Sequence, residues 1–281
     1  MTFKNDFQAS GSRASHGGGR IAAGGGIGSI VIVGLYLLLG GNPTDLINSS
    51  GGGGHDQANR EECKSGADAN KYDHCRVEYT GISLDRVWSR ILPEQANIDY
   101  TKPGLTLFSG ATSTGCGQAS SSTGPFYCPS DSTAYFDTSF FQQLKDMGGS
   151  NGPFAQEYVV AHEFGHHIQN LQGTLGLSDY NNPGEDSNAV KMELQADCYA
   201  GIWANHAAQG DYAILEPLSD DQVQQAVTTA QAIGDDAIQK QSGQSVNPDQ
   251  WTHGSSEKRK SSFLKGYKNG TMSACKQSFN E

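Results

Sequence analysis

The sequence predicts an α+β fold, mainly helical, with a small sheet near its front and one membrane helix ahead of it. Three observations predict this. Beyond residue 150, long stretches with helical spacing are bounded by cap and stop residues. Two short β-branched or aromatic runs, 105–109 and 134–137, precede them. An uncharged apolar run, 21–41, lies among glycines that crowd positions 11–54 and thin out afterwards.

The apolar run comes first in the chain. Its Ile/Val/Leu-rich centre is 27–39, and a helix of about 20 residues spans the hydrocarbon layer. Lys4, Arg13 and Arg20 precede it against Asp6, while Asp45 and Asp56 follow it. The positive-inside tendency then puts the N-terminus in the cytoplasm and the larger part outside, periplasmic or on the cell surface. No small-x-small cleavage site follows Leu39, which favours an uncleaved anchor over a signal peptide. The expected organisation is a cytoplasmic segment 1–20, a transmembrane anchor 21–41, a Gly/Ser-rich linker 42–60 and a globular domain 61–281.

Within that domain, residues 84–92 read as a helix ended by Pro93, and 110–129, rich in Ser, Thr and Gly, as a loop. A short helix at 139–147 meets Gly148 and Gly149. A longer one, 154–171, starts after Pro153 and stops before Gly173, the usual Pro-first, Gly-last asymmetry. The next, 188–208, ends near Gly210. Residues 220–241 form a helix capped by Ser219, with two acids in the first turn where the helix dipole favours them. A last helix covers 255–268.

Six cysteines, at 63, 75, 116, 128, 198 and 275, make no C-x-x-C pair. An even count in an exported chain points to disulfides, and six cysteines allow fifteen pairings. Nearest-neighbour pairing of the first four leaves Cys198 for Cys275. The net charge of -11 argues against a nucleic-acid partner, which calls for clustered Lys and Arg.

The run His162-Glu163-Phe164-Gly165-His166 matches H-E-x-x-H inside the helix expected over 154–171. Residues four apart differ by about 40° in azimuth and one turn in height, so both imidazoles can reach one Zn²⁺. Glu163 is then free to take a proton from a zinc-activated water. A catalytic zinc needs a third protein ligand and an open position. Glu193 can supply it from the following helix, and Asp197, one turn on, is placed to accept the second ring N–H of a ligand histidine. The apolar neighbours Leu194, Ala196, Tyr199, Ile202 and Trp203 bury that helix, and a buried carboxylate wants a cation. By azimuth Cys198, His206 and His167 fall away from the site. They read as a disulfide or packing residue, a helix-end histidine, and a core residue.

With these motifs in place, the chain from Leu84 onward resembles the neutral zinc metallopeptidases, a family of bacterial membrane-anchored proteins. The resemblance is carried by Leu107-Phe108-Ser109-Gly110, Gly124-Pro125-Phe126-Tyr127-Cys128-Pro129, the runs 161–169 and 193–204, Gly234-Asp235-Asp236 and His253-Gly254-Ser255-Ser256. It implies a zincin-like domain with zinc at His162, His166 and Glu193. Family members tend to carry an aromatic residue before the Phe of the last helix, where this chain has Ser262 before Phe263.

The expected reaction is hydrolysis of a peptide or protein, with Glu163 as general base. His253, in a Gly/Ser-rich turn, is the first choice for a donor to the oxyanion. Tyr158 is expected to point elsewhere. Asp235 and Asp236 read as helix-turn residues or partners of Arg259. The strand 134–137 is expected to offer a free edge to an extended substrate. The same zinc ligands would also suit hydrolysis of a non-peptide envelope amide, or a zinc-stabilised binding module without turnover.

Overall fold

The computed structural model describes residues 2–17, 63–150 and 152–279. The expected anchor 21–41 and linker 42–60 lie outside them. Among the described residues no helix is long and apolar enough to cross a membrane.

The fold is α+β, as expected. A four-stranded sheet has the order β1-β2-β6-β5, formed by β1 (Ser15–His16), β2 (Gly104–Phe108), β6 (Thr133–Asp137) and β5 (Phe126–Cys128). β1 and β6 run parallel to β2, and β5 runs antiparallel to β6. The strand 134–137 therefore has both edges paired and cannot receive a substrate. Among the described residues the outer strands of the sheet are β1 and β5. The expected loop 110–129 holds a hairpin of β3 (Ala111–Thr114) and β4 (Gly117–Ser120) before it enters β5. Its β-branched and small residues lack a strong alternating pattern, which hides these strands in the sequence.

Helices cover one side of the sheet. α1 (Gly66–Lys71) leads into α2 (Asp73–Ala96), longer than the expected 84–92 at both ends. Pro93 lies in its last turn and does not stop it there. The Pro93 carbonyl still accepts the N–H of Asn97, whose φ of 56° ends the helix. α3 (Phe140–Asp146), α4 (Pro153–Leu171), α5 (Asn188–His206) and α8 (Ser256–Asn269) agree closely with expectation. The helix expected over 220–241 is two, α6 (Asp220–Ala232) and α7 (Asp235–Gln241). They part at Gly234, where a Cβ would lie 2.4 Å from the Ser256 backbone nitrogen.

The core sits where α4, α5 and α8 cross, and glycines set the closeness. A Cβ on Gly165 of α4 would lie 2.9 Å from the Ala196 backbone of α5. A Cβ on Gly266 of α8 would lie 1.9 Å from the Cys198 carbonyl. Phe263, fully buried, meets Tyr158 edge-on, while Ser262 beside it is partly exposed. Disulfides Cys63–Cys75, Cys116–Cys128 and Cys198–Cys275 bind α2 to the chain before it, the hairpin to β5, and α5 to the C-terminal segment.

One boundary differs from the sequence reading. The segment 1–20 was expected to stand apart from a domain starting at 61. Residues 2–17 instead pack on that domain, with Phe3 only 1% exposed and β1 closing the outer edge of β2.

Candidate metal centre

α4 carries His162, Glu163 and His166, and α5 carries Glu193 and Asp197. The close crossing at Gly165 turns these two sets toward each other. His162 Nε2 lies 3.1 Å from Glu193 Oε2, and His166 Nε2 lies 3.5 Å from Glu193 Oε1. The ligating atoms of the three residues all fall within 4.8 Å of one another, and all three side chains are buried.

The other ring nitrogens are spoken for. His162 Nδ1 donates to Asp197 Oδ1 at 2.8 Å, as the sequence suggested. His166 Nδ1 donates to Gln169 Oε1 at 2.8 Å, and Gln169 is held by its own amide bonds to the Met192 carbonyl and Gln195. Both rings thus direct an Nε2 lone pair at the shared point, which is how an outer partner prepares a ligand histidine. Two neutral imidazoles and a carboxylate are a donor set suited to zinc. Burial disfavours charge on Glu193, but His166 and His162 hold its carboxyl well below the usual range. Burial also works against charge on His162, yet Asp197 and Glu193 carry it to about 10. A proton and a divalent cation therefore compete for the same nitrogen.

Arg259 of α8 completes the support. It grips Asp197 through Nε at 2.8 Å and Nη2 at 3.0 Å, and reaches the Ile233 carbonyl at 3.0 Å. Tyr158 also donates to Asp197, so it does not point away from the site as expected. Burial pushes Asp197 up, and Arg259 with His162 overrides this to bring it to about 2. Arg259 pairs with Asp197, not with Asp235 or Asp236. Tyr158 and Arg259 were missed because each acts through Asp197, a partner distant in sequence; Gln169 was missed as well. For Gln169, its i+3 position after His166 was the available signal.

A cleft, open at its mouth, leads to this point between β5 and the helices. Pro125, Phe126, Phe140, Val159 and Ile233 give it apolar walls, and Glu163 and His253 line it too. Glu163 is buried, and its Oε2 has no hydrogen-bond partner among the described residues. Burial raises its carboxyl, against the pull of His162 and His166. An uncompensated acceptor so placed fits a group that receives a proton from a bound reactant. His253 stands at the cleft with Nδ1 facing Asp235 Oδ1 at 3.2 Å and the Thr252 hydroxyl at 3.0 Å. Asp235 Oδ2 also accepts the backbone N–H groups of Thr252, His253 and Gly254, at 2.7–2.9 Å. Burial lowers the affinity of His253 for a proton, but Asp235 more than restores it.

Tyr180, on the chain leading to α5, was also missed; its hydroxyl donates to Glu193 Oε1 at 3.0 Å. The three bystanders behave as read. Cys198 is in a disulfide, His167 joins the Tyr127 hydroxyl to the Thr101 carbonyl, and His206 bonds the Gly270 carbonyl at the end of α5.

Known proteins resemble this chain. The family model described as "Putative neutral zinc metallopeptidase" matches residues 3–279. Uncharacterized protein Rv2575 of Mycobacterium tuberculosis is 51% identical over 220 residues, covering 76% of this chain and 73% of its own. Uncharacterized protein Mb2605 of Mycobacterium bovis matches to the same extent. Uncharacterized protein YpfJ of Escherichia coli K12 is 43% identical over 187 residues, covering 65% of this chain and 63% of its own. No solved structure matches. The match runs through nearly the whole chain and includes both helices of the buried His-His-Glu cluster, so the chain belongs to the neutral zinc metallopeptidase family, whose cofactor is Zn²⁺.

Proposed function

We propose that the chain hydrolyses peptide bonds at this centre, with His162, His166 and Glu193 holding zinc. The observation that carries the reading is the meeting of those three ligating atoms with the unpartnered Glu163 carboxylate at the floor of one cleft. Zinc, when bound, acts as a Lewis acid toward the scissile carbonyl and makes water a better nucleophile.

The chain's own residues do the rest. Glu163 takes the proton of the attacking water on its free oxygen and passes it to the leaving amine nitrogen. His253, oriented through Nδ1 by Asp235, offers Nε2–H to the oxyanion. Asp197, neutralised by Arg259, fixes the His162 ring. The outer edge of β5 lies beside the cleft wall at Pro125 and Phe126, and an extended peptide can pair there. Three disulfides suit a domain that works outside the cytoplasm.

The test is Glu163→Gln in the full chain. Zinc content should stay at about one per chain while peptide hydrolysis falls by roughly 10²–10⁴. Unchanged hydrolysis by the variant would end the assignment of Glu163, and with it this mechanism.

A further inference from the structure

The first residues of the chain are built into the domain. Asn70, at the end of α1, accepts the N–H groups of Thr2 and Phe3 at 2.8 and 3.0 Å and donates to the Phe3 carbonyl at 2.8 Å. The Glu216 N–H donates to the Thr2 carbonyl at 2.8 Å, and the Lys4 N–H to the Ile214 carbonyl at 2.9 Å. Phe3 and Phe7 both meet Tyr79 edge-on. Arg13 forms an ion pair with Asp85 at 2.7 Å, donates to the Pro103 carbonyl at 2.8 Å and lies over the Phe164 ring behind the metal helix.

The domain reserves space for these contacts. A Cβ on Gly66 would lie 2.0 Å from the Lys4 carbonyl oxygen. Asp85 is 4% exposed, so its charge depends on Arg13, with exposed Lys102 at 3.7 Å as its other cation. Thr2 also lies by Glu157, a fully buried carboxyl on α4 whose two oxygens have no hydrogen-bond partner among the described residues. Without residues 2–17, Asp85 would lose its close partner, Tyr79 and Glu157 would lose their cover, and the edge of β2 would be open.

We propose that residues 2–17 are a structural part of the catalytic domain and share one side of the membrane with residues 63–279. The reason is topological. Any single crossing between residues 17 and 63 puts these two parts in different compartments, where none of the contacts above can form. Two full helical crossings need about 40 apolar residues and a turn. The intervening 45 residues contain one uncharged apolar run, 21–41. A membrane attachment through that run must therefore begin and end on the side where the domain lies. The proposal stands against the expectation of a cytoplasmic N-terminus joined to an extracytoplasmic domain by one pass, and it is independent of whether the centre cleaves peptides.

The experiment uses the full chain in its native envelope. Ser15 and Thr106 face each other in the β1–β2 register, with hydroxyls 2.9 Å apart. In S15C/T106C, with thiols blocked by N-ethylmaleimide before lysis, most chains should carry a bond joining the N-terminal peptide to the β2 peptide until reduced. Single variants supply an independent reading, because Ser10 and Leu177 are both exposed. S10C and L177C should react equally with a membrane-impermeant maleimide from the same side. The proposal is overturned if S10C reacts only after the membrane is broken while L177C reacts before. It is equally overturned if S15C/T106C chains retain full zinc content yet are recovered with both cysteines unlinked.

Discussion

Two histidines in the cleft lean on buried aspartates, and the two aspartates are stabilised by different means. Asp197 faces a guanidinium, with Arg259 taking both its oxygens. Asp235 faces three backbone N–H groups of the turn that carries His253. Asp197 shares its charge between Arg259 and the His162 ring, which it orients and whose proton affinity it raises. Among the described residues Asp235 has no guanidinium beside it; it accepts from backbone dipoles and faces the His253 ring, whose proton affinity it raises against burial. His162 belongs to the candidate ligand set, so a cation competes there with the proton that Asp197 favours. His253 is outside that set, and its proton has no such competitor.

Breaking the guanidinium side should have the largest effect. Arg259→Met leaves the buried Asp197 charge without its guanidinium partner, and a loss of about 3–5 kcal/mol is expected in denaturant unfolding. If the loss is under about 1 kcal/mol, the two aspartates do not differ as described. Next, His253→Ala should lower kcat by roughly 10²–10³ with zinc content unchanged, as for loss of one oxyanion donor. Its pH profile sharpens the contrast. An imidazolium donor is present below its raised pKa and is lost as pH climbs through it, so the wild type should lose rate on the alkaline side. In His253→Gln that limb should vanish.

Asp197→Asn removes the acceptor of the His162 N–H, and zinc affinity should fall about 10–100-fold, read by chelator competition. The smallest effect is on acid stability. Because Asp197 is brought from 3.8 to about 2 in the folded chain, it adds stability that is whole above pH 3.8 and is lost as pH falls toward 2. For a fully buried group this amounts to about 2 kcal/mol. The Asp197→Asn protein should lack that contribution in acid unfolding curves, measured with chelator present in both proteins.

The parts of this site that could be read in the sequence share a property. His162, Glu163 and His166 lie on one helix, where spacing alone sets geometry. Glu193 and Asp197 were legible because they repeat that one-turn spacing on a second buried helix. Arg259 and Tyr158 contribute through contacts that no spacing encodes. The break at Gly234 was hidden for a similar reason, since it depends on the backbone of Ser256 lying against it. The substrate-facing edge was assigned to the wrong strand because strand order cannot be read from a single run of aromatic residues.

The sequence by itself determined the helices α3, α4, α5 and α8 and placed the candidate metal-binding side chains on two of them, because these follow from periodicity, caps and short separations. Tertiary structure decided which charge neutralises Asp197, which strands lie at the edges of the sheet, and that the first residues belong to the domain. Those outcomes rest on contacts between segments as much as 210 or more residues apart, such as Thr2 with Glu216. Their free energy comes from burial and pairing in the assembled core, a quantity with no local signature along the chain.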